Sequence, residues 1–235
     1  MRHERAVTRE IQNQNRLYSE RLTAEQLRVL PEKIKVLFFA ADPLEDNRLR
    51  LDREVRNIAE RLRMAEYRDS VGLESRWAVR PSDLLQALNE VRPRVVHFSG
   101  HGSQDDLLFE DENGNPKPIS KEAITRFIEV GSDHVRVVVF NACYTRDQAE
   151  AAARHVDVAI GMNAPISDEI AAKFAEQFYS AIGFGASVKH AFHQALARLG
   201  LEGLRGEKIP ELFAREGVDP DEVVLVRPDL ERRVS

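Results

Sequence analysis

Arg136-Val137-Val138-Val139-Phe140-Asn141-Ala142-Cys143 is an apolar run that ends on the only cysteine of the chain. Continuous apolarity without alternation fits a strand covered on both faces, as in a parallel sheet flanked by helices. A second stretch, Arg94-Val95-Val96-His97-Phe98-Ser99-Gly100-His101-Gly102, has the same build and ends on a histidine. In open parallel sheets ligands sit outside the carboxyl ends of the strands, so a thiol and an imidazole fall on the functional edge. Neighbouring strands lie about 4.8 Å apart, close enough for both side chains to address one substrate carbonyl.

Working outward, strands and helices alternate. Residues 34–40 form an apolar run stopped by Asp42-Pro43, and Leu49, Leu51, Val55, Ile58, Leu62 and Met64 then follow at helical spacing. A less apolar strand over 73–79 suits a sheet edge, and Pro81-Ser82-Asp83 opens a helix carrying Leu84, Leu85, Leu88 and Val91. After the histidine stretch, residues 106–110 and an Asn113-Gly114 turn predict a hairpin, and Ser120 starts a helix that ends near Gly131. Beyond the cysteine come a helix over 148–154, a strand over 156–162 and helices over 167–182 and 186–199. Glycines and prolines then punctuate loops before Glu222-Val223-Val224-Leu225-Val226, which reads as a sixth strand at a sheet edge. The pattern predicts an α/β fold with a six-stranded, mostly parallel sheet and helices on both faces. Residues 1–31 show a weaker helical periodicity (Ile11, Leu17, Leu22, Leu27, Leu30), a helical segment that packs on the main domain of 32–235 or serves as an adaptor or oligomerisation element.

With 34 Lys and Arg against 39 Asp and Glu, and a net charge of −5, the chain offers no broad basic field, and direct nucleic-acid binding is not expected. A single cysteine forms no internal disulfide and cannot supply a zinc site of several thiolates, which points to a reducing cytoplasm. Met1-Arg2-His3-Glu4-Arg5 leads into polar residues rather than the apolar core of a secretory signal. No run approaches the roughly 18 apolar residues of a membrane span. The expectation is a soluble cytoplasmic protein with no membrane partner.

Cysteine and histidine at adjacent strand ends suit nucleophilic catalysis. The thiolate is the attacking species, and a histidine base can draw off the thiol proton and later protonate the leaving amine. Gly102 adds a backbone N–H with no side chain in the way; with the Cys143 N–H it could hold a developing oxyanion. A lone cysteine after an apolar strand also fits a small buried hydrophobe, and it is the pairing with His101 that favours chemistry. His97 and His101 have the spacing of a helical metal pair, but a strand running into a loop breaks that face, so His97 reads as a core histidine and no metal or cofactor is expected. His190 and His193 sit on a late helix without a glutamate between them, and suit exposure or packing.

Val95 to Gly102 and Val138-Val139-Phe140-Asn141-Ala142-Cys143-Tyr144-Thr145 resemble, in order and separation, the two signature blocks of CHAT domains, caspase-like cysteine peptidases often found beside tetratricopeptide repeats. Ile160-Gly161-Met162, Ser167-Asp168, Phe174-Ala175 and Phe178-Tyr179 are similar to that family's fifth strand and following helix, and the likeness runs over about residues 34–227. The resemblance implies a caspase-like three-layer sandwich, with His101 as general base, Cys143 as nucleophile, and Gly102 and Cys143 as the oxyanion hole. It implies peptide-bond hydrolysis through a thioester, on a protein substrate bound as an extended strand. It further implies a specificity pocket drawn from Asp42, Asn141 and Asp168, whose acidity suits a basic substrate residue; Asp168 is equally placed to cap its helix and Asp42 to stop its strand. The chain lacks tetratricopeptide repeats, so a sensor or activating partner is expected in the N-terminal segment or another polypeptide, in the bacterial-defence setting such proteins often occupy. The alternatives are a catalytically silent fold acting as a recruiting or assembly module and, more remotely, a metal hydrolase using His97 and His101.

Overall fold

Six strands form one sheet in the order β2-β1-β3-β6-β7-β8. The computed structural model describes residues 33–44 and 48–226; the helical segment expected over 1–31 lies outside them. Along the chain the elements are β1 (Ile34–Ala41), α1 (Leu51–Met64), a short 3₁₀ turn (Arg68–Ser70), β2 (Val71–Trp77), α2 (Pro81–Val91), β3 (Val95–Gly100), β4 (Asp106–Glu110), β5 (Pro116–Ser120), α3 (Lys121–Gly131), β6 (Val137–Asn141), α4 (Arg146–Ala152), β7 (Val158–Met162), α5 (Asp168–Gly183), α6 (Val188–Leu201) and β8 (Pro210–Ala214). Strands β2, β1, β3, β6 and β7 run parallel, and β8 pairs antiparallel with β7. β4 and β5 make the separate antiparallel hairpin expected around Asn113-Gly114, with Gly114 in the left-handed region at φ +80°.

The strands alternate their side chains between two helical layers. Val36, Phe38, Ala40, Val95, Val137, Val139 and Ile160 pack on one face with apolar residues of α1, α5 and α6. Leu37, Phe39, Ala41, Val96, Phe98, Val138 and Phe140 pack on the other with α2, α3, α4 and the hairpin. Covered on both faces, β1, β3 and β6 read as predominantly apolar runs, and the result is the three-layer sandwich the sequence predicts.

The sixth strand is not residues 222–226. Val223 and Val226 are buried at 2% and 3% exposure, but in the helical layer, where the Val223 carbonyl accepts the Val188 N–H at the start of α6 (2.9 Å). The strand is instead Pro210-Glu211-Leu212-Phe213-Ala214, pairing Leu212 with Ile160. An edge strand has one bonded neighbour and a half-open surface, so it tolerates a proline and a glutamate that apolarity alone would rank low.

Candidate active site

Strand register brings three polar side chains into one row. Ala40 is level with Ser99, and Ser99 with Asn141. Two residues further along each of β1, β3 and β6 stand Asp42, His101 and Cys143. Because side chains alternate with a period of two, they continue the face that turns toward α1 and α5. His101 and Cys143 line one cavity of about 420 Å³, together with Leu49, Glu54, Ser99, Asn141, Ile166 and Asp168.

Asp42 stands behind the histidine rather than in that cavity. Its Oδ1 accepts from His101 Nε2 (3.1 Å) and its Oδ2 from the Leu49 N–H (3.1 Å). An ionised carboxylate only accepts, so Nε2 carries the hydrogen and Nδ1 keeps the lone pair able to take a proton. Both side chains are largely shielded, at 17% and 13% exposure, which strengthens the bond that fixes the ring.

The sulfur of Cys143 accepts the Ile166 N–H (3.4 Å) and lies 3.8 Å from the Ile166 carbonyl. The segment after β7 therefore supports the thiol from the side opposite its own strand. Immediately after it, Tyr144 is left-handed (φ 59°), a conformation that costs a non-glycine residue of order 1–3 kcal/mol, and turns the chain toward α4. Thr145, fully buried, holds that turn. Its hydroxyl lies 2.8 Å from the Ala142 carbonyl and 3.0 Å from that of Phe140, and accepts the Met162 N–H (3.1 Å).

Gly102 fits against this turn so closely that a Cβ would stand 2.6 Å from the Cys143 carbonyl oxygen and 3.1 Å from Thr145 Cγ2. It faces Leu107 in an isolated antiparallel bridge whose hydrogen bonds run through Leu108 to His101 and Ser103 to Asp106. Among the described residues neither the Gly102 nor the Cys143 N–H has a partner. Two unpaired donors beside a thiol are what an oxyanion would need.

Asn141 is 3% exposed; its Nδ2 donates to Glu54 Oε1 (2.7 Å) and the Ala171 carbonyl (3.1 Å), and its Oδ1 has no partner. Asp168 lines the cavity as the first residue of α5 and accepts the Arg50 N–H (3.1 Å), while the helix cap is Ser167, which accepts the Ile170 N–H (3.4 Å). His97 is fully buried between Glu54 and Tyr179, with both ring nitrogens engaged, and His190 and His193 are exposed on α6. Among the described residues no cluster of three metal-ligating side chains occurs, and no helix is long and apolar enough to cross a membrane.

Glu54 is the residue that sequence reasoning missed. It occupies a core-facing position in the stripe Leu51, Glu54, Ile58, Leu62 of α1 and is 3% exposed. A glutamate inside an apolar helical stripe was the available signal.

A family profile described as the CHAT domain matches residues 3–203. Two curated relatives match part of the chain. A "Probable protease" of Gillisia limnaea is 27% identical over 150 residues, 63% of this chain and 26% of the relative. A "Roc-COR-CHAT protease" of an unknown prokaryotic organism is 26% identical over 153 residues, 62% of this chain and 14% of the relative. The chain thus spans about a quarter or less of the lengths of these relatives. Among solved structures, the Arg-specific cysteine proteinase gingipain R superposes with a TM-score of 0.56 at 12% identity, over 83% of this chain and 50% of that one. A secreted C11 cysteine protease from Bacteroides thetaiotaomicron gives 0.57 at 12%, over 77% and 66%. The Drosophila initiator caspase Dronc gives 0.51 at 7%, over 80% and 84%. At these identities the structural likeness establishes the caspase-like fold.

Proposed function

The chain belongs to the CHAT domain family, and from that premise we propose that it is a cysteine endopeptidase using a Cys143–His101 dyad. The observation that carries the reading is the row Asp42–His101–Cys143 across three adjacent parallel strands at one cavity. Its two curated relatives are named proteases, which points the same way.

In the proposed reaction, His101 Nδ1 takes the thiol proton while Asp42 holds the ring through Nε2. The thiolate adds to the scissile carbonyl, and the Gly102 and Cys143 N–H groups receive the oxyanion. The carbon–nitrogen bond then breaks as His101 returns the proton to the leaving amine, giving a thioester and a shortened amine product. Water, deprotonated by His101, cleaves the thioester to a carboxylate and regenerates the thiol. The substrate lies as an extended strand along the carboxyl edge, with main-chain bonds supplying much of the affinity. Its residue before the scissile bond enters the cavity lined by Asn141 and Asp168, and a basic residue suits that lining.

The physiological setting proposed is a bacterial cytoplasm, where an unpaired thiol stays reduced and a partner or signal releases the protease in a defence-type system. One observation favours the silent recruiting module: the Cys143 sulfur bonds Ile166, with no hydrogen bond to His101. Peptidyl electrophiles separate the two readings. The peptidase is expected to be labelled stoichiometrically at Cys143 and to cleave peptides, with cleavage abolished in Cys143→Ala while the folded state persists. A wild-type protein that takes no label even beside its partner supports the module, and proteolysis surviving in Cys143→Ala overturns the dyad.

A further inference from the structure

Among the described residues two glutamates are almost wholly buried, and they are compensated differently. Glu176, 5% exposed, is surrounded by cations: Arg61 donates to it through Nε (2.7 Å) and a terminal nitrogen, with Lys173 at 3.5 Å and Arg198 at 3.8 Å. Glu54, 3% exposed, has no Lys or Arg in ion-pair reach among the described residues. Its neighbours are the Ser99 hydroxyl on Oε2 (2.7 Å), and Asn141 Nδ2 (2.7 Å) and His97 Nε2 (3.1 Å) on Oε1.

His97 bridges Glu54 and Tyr179. A neutral ring that donates from Nε2 to Glu54 accepts at Nδ1 from the Tyr179 hydroxyl (3.0 Å), and every group is satisfied. Tyr179 is fully buried, and burial together with the Glu54 charge keeps its hydroxyl protonated. Glu54 is thus a buried carboxyl group with no Lys or Arg against it among the described residues, and an anion there is costly unless a cation completes it.

Glu54 lines the cavity that His101 and Cys143 share. So does Asn141, whose amide nitrogen faces two acceptors and thereby fixes Oδ1 as the unpartnered atom. At the rim Asp168 accepts the Arg50 backbone N–H, while the Arg50 guanidinium pairs with Asp52 (3.4 Å). The interior thus presents a carboxyl group without a Lys or Arg partner among the described residues, beside the unpartnered Asn141 Oδ1. We infer that Glu54 is the charge anchor of the cavity and that, with Asn141 Oδ1, it takes the guanidinium of a substrate arginine preceding the scissile bond. The planar fork of five donors suits acceptors on separate residues better than a single ammonium does. The inference rests on the peptidase reading and names the substrate residue for that site.

Two peptides that differ only in arginine or citrulline before the scissile bond test it, since citrulline keeps the shape and removes the charge. The wild-type protein is expected to cleave the arginine peptide about 10²-fold faster in kcat/KM. In Glu54→Gln that ratio is expected to fall toward one, through loss on the arginine peptide. Asp168→Asn should reduce the ratio much less. An arginine-to-citrulline ratio near one in the wild type overturns the inference without any variant, as does a collapse of the ratio in Asp168→Asn but not in Glu54→Gln. A similar loss on both peptides in Glu54→Gln makes Glu54 a positioning residue and also overturns it. Cleavage of neither peptide, with no labelling of Cys143, overturns the peptidase reading and this subsite together.

Discussion

The placement of Asp42, His101 and Cys143 depends on the residues packed around them. Cys143 is aimed by the left-handed Tyr144 and by the buried Thr145 hydroxyl, which ties the turn to β7. Gly102 lets the histidine loop approach that turn: a methyl group there would meet the Cys143 carbonyl at 2.6 Å, a contact backbone cannot yield without moving. Gly102→Ala is therefore expected to keep the fold and to lower kcat about 10²-fold, the usual effect of displacing one oxyanion donor. Peptide turnover with a parallel melting curve checks this, and unchanged kcat would separate Gly102 from the site. Asp42 illustrates a role the sequence hides. Its position after β1 suggested either a pocket wall or a strand stop, and only the register with His101 reveals the hydrogen bond that holds the ring.

At the scale of elements, α1 matters most, because it carries Glu54 on one turn and Arg61 two turns later. Arg61, Lys173 and Arg198 surround Glu176 of α5 and bind these helices together. Burial alone would raise the Glu176 carboxyl, but the Arg61 hydrogen bond and the three cations outweigh it and hold the group below its ordinary range. A carboxyl depressed in the folded state stabilises above its unfolded value, near about 4.3, and loses that contribution as pH falls through the folded value. Glu176→Gln is expected to cost about 2 kcal/mol at pH 7, a melting shift of roughly 4–8 °C at this chain size. The gap from wild type should narrow as pH falls below about 4. Melting temperatures across that range decide it, and a gap independent of pH would remove Glu176 from the ion-pair account. The strands were readable for related reasons: β1, β3 and β6 are covered on both faces and spell it in valines and phenylalanines. β8 was not, because its pairing with β7 is settled by long-range contact while its own residues, Pro210 and Glu211 among them, argue against a strand.

For the whole molecule, the order of strands decides what is possible. Placing β1, β3 and β6 side by side puts three loop positions, distant in sequence, into one row at the sheet's carboxyl edge. The placement of His101, Gly102 and Cys143 at that edge was legible because each follows closely on an apolar strand. The cavity interior was not, since Glu54 comes from a helix whose packing face, and not its local sequence, brings it beneath the row. The position of Asn141 just before the cysteine was legible, but its free Oδ1 belongs to the folded network alone. In the proposed reaction Cys143 acts on protein substrates with His101. Mapping of new protein N-termini, in cells producing the wild-type chain against cells producing Cys143→Ala, tests it most directly. Discrete new termini are expected in the wild type, each following an arginine and absent from the variant. The same termini in both, or none in the wild type when its partner or signal is present, would contradict it.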